Sequence, residues 1–326
     1  MRRRKIRIIG AGVAGSYLYA LAKDDRDLEI LDRNPAMRGH LCAWGCFHSQ
    51  LRERLRKVGL NVNDYVLNKA TNYVLNGINI RISNQISIDK PKMLEDLLPQ
   101  NKVVKREAPL VESRGTLTVN ATTQPLGEHQ KIATAQYKTI LKGLEPNTVY
   151  VHVSPNYAGY AWAFPLSDEG KLWHVGAGCA GGDPLDLIHQ IEKRYEIEET
   201  KRLCSCGRNL KIVNPKKAVL SKDGVISIGE AAGLVQPLSG EGIIPSMDSG
   251  MLLYESLLGG EPYEAAMRNL LNQYETPYML WCLMRRHPRL AYLRGFRQIA
   301  KRAEQDMGAE LTTAIKLRLL KEIIFG

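Results

Sequence analysis

The strongest constraint on this chain is six residues long. Gly10-Ala-Gly12-Val-Ala14-Gly15 follows a short apolar run, Lys5 to Ile9, and leads into a helical stretch, Ser16 to Ala22. Leu28-Glu-Ile-Leu31 then reads as a second strand, closed by Asp32 and followed by Arg33. Strand, glycine turn, helix and strand form a βαβ unit with dinucleotide-binding spacing. Gly10 permits the tight turn, Gly12 lets a pyrophosphate approach the backbone, and Gly15 lets the helix pack closely on the sheet. The helix start offers free N–H donors and a positive dipole end to phosphate. Asp32 is placed to accept ribose hydroxyls. The motif alone leaves FAD and NAD both open.

A chain of 326 residues suits two or three interleaved domains rather than one. With 44% hydrophobic and 24% charged residues it has an ordinary globular composition. It holds no apolar run of about 18 residues, so no membrane-spanning helix is expected. Met1-Arg-Arg-Arg-Lys5 lacks the apolar stretch of an export signal, and a cytoplasmic location is expected. Lys and Arg outnumber Asp and Glu by 45 to 34, a net charge of +11. That surplus favours phosphate-bearing cofactors or acidic lipid surfaces, and a plain solvated basic surface fits it equally well. Nucleic acid is not expected as a partner, because no recognisable module accompanies the charge. The six cysteines lack the paired CxxC spacing of a zinc site, so no metal is expected.

A second strand–turn–helix junction lies far downstream. Gly224 to Ile228 reads as a strand, Gly229-Glu230-Ala-Ala-Gly233 as a turn, and Ile244 to Leu258 as an amphipathic helix after Gly240-Glu-Gly242-Ile243. The run GEAAGLVQPLSGEGI resembles the flavin motif of the para-hydroxybenzoate-hydroxylase-like flavoproteins. That resemblance implies FAD as cofactor. It places Glu230 where the family has an aspartate bonded to the ribityl chain, with one methylene more reach. It places Gly240, Gly242 and Ile243 beside the O2/N1 edge of the flavin.

A third segment, Gly159-Tyr160-Ala-Trp162-Ala-Phe164-Pro165, precedes a strand from Lys171 to Val175 and then Gly176-Ala-Gly178. It resembles the YxWxFP…GxG motif of the geranylgeranyl reductase family, enzymes that saturate isoprenoid double bonds. Alternation puts the three aromatic rings on one face of a strand. Cys42-Ala43-Trp44-Gly45 resembles the family's Cys-Gly-Glu-Gly stretch near the flavin ring, with Ala43 and Trp44 departing from it. The resemblance implies flavin contacts at Cys42, Ala43 and Gly45, and catalytic or pocket-lining roles for Cys42, Tyr160 and Trp162. A buried structural thiol at Cys42 stays equally open. The segment Ile88 to Leu98 resembles the helix after the family's Arg-Asp-Arg/Lys stretch, with isoleucine at the arginine position.

The expected architecture is therefore α/β. It combines a Rossmann-like FAD-binding domain (residues 1–72, 85–135 and 218–260), an interleaved antiparallel β-sheet substrate domain (73–84 and 136–217) and a C-terminal helical segment (261–326). Gly176-Ala-Gly178-Cys-Ala-Gly181 also fits the dinucleotide spacing, but no strand ending in an acid follows, so it reads as a strand-end turn. Pro277, Pro288 and Gly295 are expected to break the C-terminal helices. Arg285 to Arg302 carries seven Lys/Arg and no acid, interleaved with Leu, Tyr and Phe. Peripheral association with an anionic membrane is one reading of that run; a phosphate-bearing substrate and a solvated face are others.

The function expected from the resemblance is reduction of isoprenoid double bonds by hydride transfer from reduced FAD. The electron donor, NAD(P)H or a ferredoxin-like protein, stays open. An aromatic hydroxylase of the same fold and a non-catalytic flavin- and lipid-binding protein are the alternatives.

Overall fold

The computed structural model describes residues 5–39, 43–112 and 115–325. In chain order the elements are β1 (Lys5–Ile9), α1 (Val13–Ala22), β2 (Leu28–Asp32), β3 (Gly45–Phe47), α2 (His48–Lys57), β4 (Val66–Leu75), β5 (Ile78–Ile88) and α3 (Lys90–Leu97). Next come β6 (Val103–Lys105), β7 (Thr116–Asn120), β8 (Gln130–Lys142), β9 (Thr148–Ser154), β10 (Gly159–Pro165), β11 (Leu172–Cys179), α4 (Pro184–Arg194) and β12 (Glu198–Ile212). The chain closes with β13 (Ser221–Lys222), β14 (Val225–Ser227), α5 (Ile243–Leu257), α6 (Tyr263–Asn272), α7 (Glu275–Met284), α8 (Pro288–Arg302) and α9 (Thr313–Phe325).

Two sheets organise these elements. The first has the order β13-β14-β7-β1-β2-β6, and all its pairings but β13–β14 are parallel. Parallel strands need covered faces. Ile6, Ile8, Ile30 and Val119 are buried accordingly, against Leu18 of α1 and Leu253 of α5. Burying each such side chain contributes about 1.5–3 kcal/mol.

The second sheet has the order β12-β8-β11-β10-β9-β4-β5-β3 and is antiparallel apart from β4–β9. Asn76 and Gly77, both at positive φ (47° and 81°), close the β4–β5 hairpin. That is the two-residue turn chemistry a right-twisted hairpin requires. The Asn76 side chain also pins β9: its Nδ2 donates to the Val153 carbonyl at 3.1 Å and its Oδ1 accepts the Val153 N–H at 2.7 Å.

The second sheet begins earlier in the chain than the expected segment edges at 73 and 136. It takes in β3, all of β4 from Val66, and β8 from Gln130. The long antiparallel registers cause this, because β12 pairs with β8 from Gln130 to Lys142. Gly176 and Gly178 also sit elsewhere than expected: they lie inside β11, paired with Trp162 and Tyr160, not at a strand end. A Cβ on Gly176 would come within 2.6 Å of the Trp162 ring and 2.7 Å of Gln136, so this glycine makes room for the indole.

At the C terminus, Pro277 falls in the first turns of α7 and Pro288 starts α8, both tolerated positions. Gly295 does not break α8. It is buried in mid-helix, where a Cβ would approach Leu280 to 2.7 Å, so it is a close helix–helix contact. Among the described residues no helix is long and apolar enough to cross a membrane.

Candidate active site

The two strand–turn–helix junctions lie side by side. A Cβ on Gly229, which sits at φ +63°, would meet the Ala14 Cβ at 2.8 Å, and one on Gly250 would meet the Ala14 carbonyl oxygen at 3.3 Å. The Gly229 N–H donates to Ser249 Oγ of α5 at 2.8 Å. Both junctions open into one cavity of about 1430 Å³. Single ligand pockets run to roughly 300–1,000 Å³, so this volume has room for a cofactor and a second large molecule.

In the first junction Gly10, Gly12 and Ala14 line the cavity, while Gly15 does not. Gly10 has φ +107°, and its missing Cβ would lie 2.6 Å from the Ala121 carbonyl oxygen. A Cβ on Gly15 would sit 2.0 Å from the Gly10 carbonyl oxygen, so Gly15 serves packing. A Cβ on Gly12 would meet nothing within 4 Å: the open space beside it is cavity. Helix α1 begins at Gly12 with no side-chain cap and no acid in its first turn, leaving its first N–H groups for a ligand. Asp32 accepts the Ala11 N–H at 2.8 Å and the Asn34 N–H at 2.7 Å, which fixes the carboxylate at the cavity wall. Each oxygen keeps a lone pair for a hydroxyl. Arg33 lines the wall beside it. An uncapped helix start, a glycine facing open space and an anchored carboxylate fit the pyrophosphate and ribose of a dinucleotide.

In the second junction Gly240, Gly242 and Ile243 line the cavity, and Gly242 caps α5 with no side-chain bond and no acid in the first turn. The turn is self-bracing: Gln236 Oε1 accepts the Ser239 N–H at 2.8 Å, and the Gly240 N–H donates to the Gln236 carbonyl at 2.8 Å. Glu230 differs from expectation. Its carboxylate is held by the Arg208 guanidinium and accepts the Lys211 N–H at 3.0 Å, both on β12. The extra methylene carries it to the neighbouring sheet. Arg208 lines the same cavity, so the ion pair, not a free carboxylate, faces a ligand there.

Tyr160, Trp162 and Phe164 share one face of β10, with ring centroids 5.5 Å and 6.1 Å apart in succession. Tyr160 is not a free pocket hydroxyl: it donates to the Ser239 carbonyl and ties β10 to the turn before α5. Ala43 and Gly45 also line the cavity; Cys42 lies outside the described residues. A Cβ on Gly45 would come within 3.1 Å of Gln85 and 3.3 Å of the Phe164 ring. The nearby Cys46 thiol is buried and pushed up to about 12, so it is inert. His174, beside Phe164, is pushed down to about 3, first by burial and then by Lys138 and Lys90, so it stays neutral. Among the described residues no group of three His, Cys, Asp or Glu is placed to hold a metal.

The remaining wall comes from the C-terminal helices, whose role the sequence reading missed. Tyr292, Phe296 and Ile299 of α8 line the cavity, with Leu319 and Ile323 of α9. Phe296 and Leu319 pack with Ile80, Val149 and Val151 of the second sheet, and Tyr292 and Ile323 with Leu75 and Val153, giving an apolar chamber beyond the glycine turns. The spacing Tyr292, Phe296, Ile299 is an i, i+4, i+7 inward stripe that the basic composition of this helix masked. Arg302, at the end of α8, also turns inward, to Glu241 at 2.8 Å and Asp306 at 2.8 Å.

No protein-family model matches the chain. It is 24% identical over 314 residues to an uncharacterized protein of Methanocaldococcus jannaschii, covering 80% of this chain and 85% of that protein. It is 33% identical over 101 residues to a digeranylgeranylglycerophospholipid reductase of Methanosphaerula palustris, a match spanning 29% of this chain and 24% of that enzyme. Among solved structures, a geranylgeranyl bacteriochlorophyll reductase-like protein from Thermoplasma acidophilum superposes with a TM-score of 0.69 at 16% identity, covering 98% of this chain and 96% of that one. The flavin-dependent brominase Bmp2 superposes with a TM-score of 0.65 at 15% identity, covering 99% and 94%. By fold over nearly its whole length, and by local sequence over about a third of it, the chain resembles the geranylgeranyl reductases within the flavin-dependent oxidoreductase fold.

Proposed function

We propose that this protein is an FAD-dependent reductase that saturates isoprenoid double bonds of membrane-lipid precursors. The observation that carries the reading is the single cavity: a phosphate-accepting turn at Gly10–Gly12, an uncapped helix start at Gly242, and an aromatic and aliphatic chamber behind them. An isoprenoid chain has few polar handles, and such a chamber suits it. The reductase relatives support the substrate class.

FAD, when bound and reduced by an external donor, supplies a hydride for one carbon of the alkene. The chain's own residues do the rest. Gly12 and the α1 N-terminus hold the pyrophosphate, Asp32 the ribose, and Arg208–Glu230 bracket the cavity between the two sheets. The N–H groups at Gly242 and Ile243, at the uncapped start of α5, would favour negative charge on a group bound there. Trp162 and Phe164 position the alkene, and α8 and α9 exclude water. The outer face of α8 carries Leu290 and Leu293, exposed among Arg289, Arg294 and Arg297. We assign this face to anionic lipid head groups, from which a lipid substrate is drawn.

The test is anaerobic. The holoprotein is reduced with dithionite and mixed with a geranylgeranyl-bearing lipid. Flavin reoxidation, with two hydrogens gained per double bond, supports the reading. Flavin that stays reduced across a panel of such lipids overturns it. Oxygen consumption with a hydroxylated aromatic product instead favours a monooxygenase of the same fold.

A further inference from the structure

We infer that the Arg38 guanidinium binds a phosphate oxygen of the dinucleotide, joining the Gly10–Gly12 turn in holding the pyrophosphate. The inference rests on the flavin-nucleotide reading above. Arg38 lies in the connection between β2 and β3 and lines the cavity between Met37 and Gly39. Its side chain is only 5% exposed.

One terminal nitrogen of Arg38 is fully engaged. Nη2 donates to the Leu98 carbonyl at 2.8 Å, to the Leu94 carbonyl at 3.2 Å and to Glu95 Oε2 at 3.1 Å. It thereby closes the C-terminal end of α3, where a cation is favoured. The other terminal nitrogen, Nη1, is buried and has no hydrogen-bond partner. A buried N–H of a cation, left unpaired, carries the cost of its lost hydration, and native proteins keep such groups rare. Capping α3 explains Nη2 and leaves Nη1 without a role.

The charge on Arg38 is weakly matched as well. Glu95, its ion-pair partner, is 51% exposed and also accepts the Gln100 N–H at 2.8 Å. Asp32 is the other carboxylate that acts on Arg38, and it is bonded to the Ala11 and Asn34 N–H groups. Ala11 belongs to the glycine turn, so Asp32 links that turn to Arg38. A guanidinium with one free nitrogen thus stands near the backbone donors that suit phosphate.

The other cations of the cavity wall do not offer this. Arg54 is paired with Asp248, Arg208 with Glu230, and Arg302 with Glu241 and Asp306. Lys90 is buried and already engaged. Arg33, Arg106 and Lys301 are exposed, and solvent weakens their pull on an anion. The turn itself holds no Lys or Arg from Gly10 to Ser16, so it meets phosphate with backbone N–H groups alone. A guanidinium adds a charge-assisted bond, which is shorter and stronger than a neutral one.

The experiment titrates FAD, ADP and adenosine by calorimetry into the full-length apoprotein of wild type, Arg38→Met and Arg38→Lys. ADP carries the pyrophosphate without the flavin; adenosine keeps the ribose for Asp32 without phosphate. Arg38→Met is expected to weaken ADP and FAD about 10–100-fold and adenosine by less than about threefold. Arg38→Lys keeps the charge but not the fork, and its ADP affinity should fall between the two. Rising ionic strength should erode the preference for ADP over adenosine more in wild type than in Arg38→Met. A role confined to the end of α3 would lower apo melting and both affinities together, with the ADP-to-adenosine ratio as in wild type. That result overturns the inference and leaves the flavin reading intact, as does a wild type that binds FAD but takes ADP no better than adenosine. If Arg38→Met does not fold, Arg38→Lys decides, and a wild-type ratio there overturns the inference. A wild type that binds neither FAD nor ADP overturns the flavin reading and the inference together.

Discussion

The glycine cradle and the apolar chamber are two halves of one cavity, built by opposite means. The cradle is backbone: three glycines, an uncapped helix start and one anchored carboxylate, all within residues 10–32. The chamber is side chain: rings from β10, aliphatics from β4, β5 and β9, and a wall from α8 and α9, gathered from distant parts of the chain. A function that needs N–H groups aimed at phosphate is encoded in a short stretch. A function that needs an apolar volume is encoded in many weak choices whose only common property is burial.

The largest test of that contrast lies inside the cradle. Gly15→Ala is expected to disrupt the first junction, because its Cβ would lie 2.0 Å from the Gly10 carbonyl oxygen. The destabilisation should reach or exceed the overpacking range of about 1–3 kcal/mol, read by denaturant melts. Gly12→Ala, with open space at its Cβ, should leave apo stability within about 0.5 kcal/mol yet weaken FAD binding strongly.

Arg208→Met gives the next effect. It leaves the Glu230 carboxylate, 13% exposed, without its cation, at an expected cost of about 1–3 kcal/mol and with weaker flavin retention. Unchanged stability would mean that Glu230 is free to take the ribityl role suggested by sequence. Phe296→Ala probes the chamber alone: FAD titration should be unchanged, while the lipid concentration at half-saturation rises about tenfold through lost apolar contact.

Smaller still is the outer face of α8. Reversing Arg289, Arg294 and Arg297 to Glu should weaken sedimentation with anionic vesicles by about 1 kcal/mol per residue, with no change on neutral vesicles. The smallest effect is in stability against pH. Because burial raises the Glu241 carboxyl above 4.5, folding favours its protonated form. That contribution is complete below pH 4.5 and is lost as pH rises through the raised value. Wild type should therefore lose stability relative to Glu241→Gln over that window. The expected loss is at most about 1 kcal/mol, since the side chain is partly exposed.

The same division explains what could be read from the sequence. The βαβ unit, Asp32 and the start of α5 are legible because glycine spacing and strand–helix alternation are local. The aromatic face of β10 is legible because alternation fixes it. The Glu230–Arg208 pair is not, because it depends on β12 lying beside the turn. The glycines of β11 mimic a nucleotide turn until pairing with β10 shows that Gly176 makes room for Trp162. The arginines of α8 drew attention to its outer face and away from the inward stripe at Tyr292, Phe296 and Ile299.

FAD titration tests most directly whether two distant backbone turns hold the same flavin nucleotide. FAD is titrated into wild type, Gly12→Val and Gly242→Val, with flavin retained after gel filtration as the readout and apo melting as the control. A Cβ at Gly12 meets nothing within 4 Å, and one at Gly242 comes no closer than 3.8 Å to the Leu234 carbonyl oxygen, so both variants should fold. One flavin per chain is expected for wild type and none for either variant. A wild type that stays colourless, or a Gly242→Val protein that binds FAD as wild type does, contradicts that expectation.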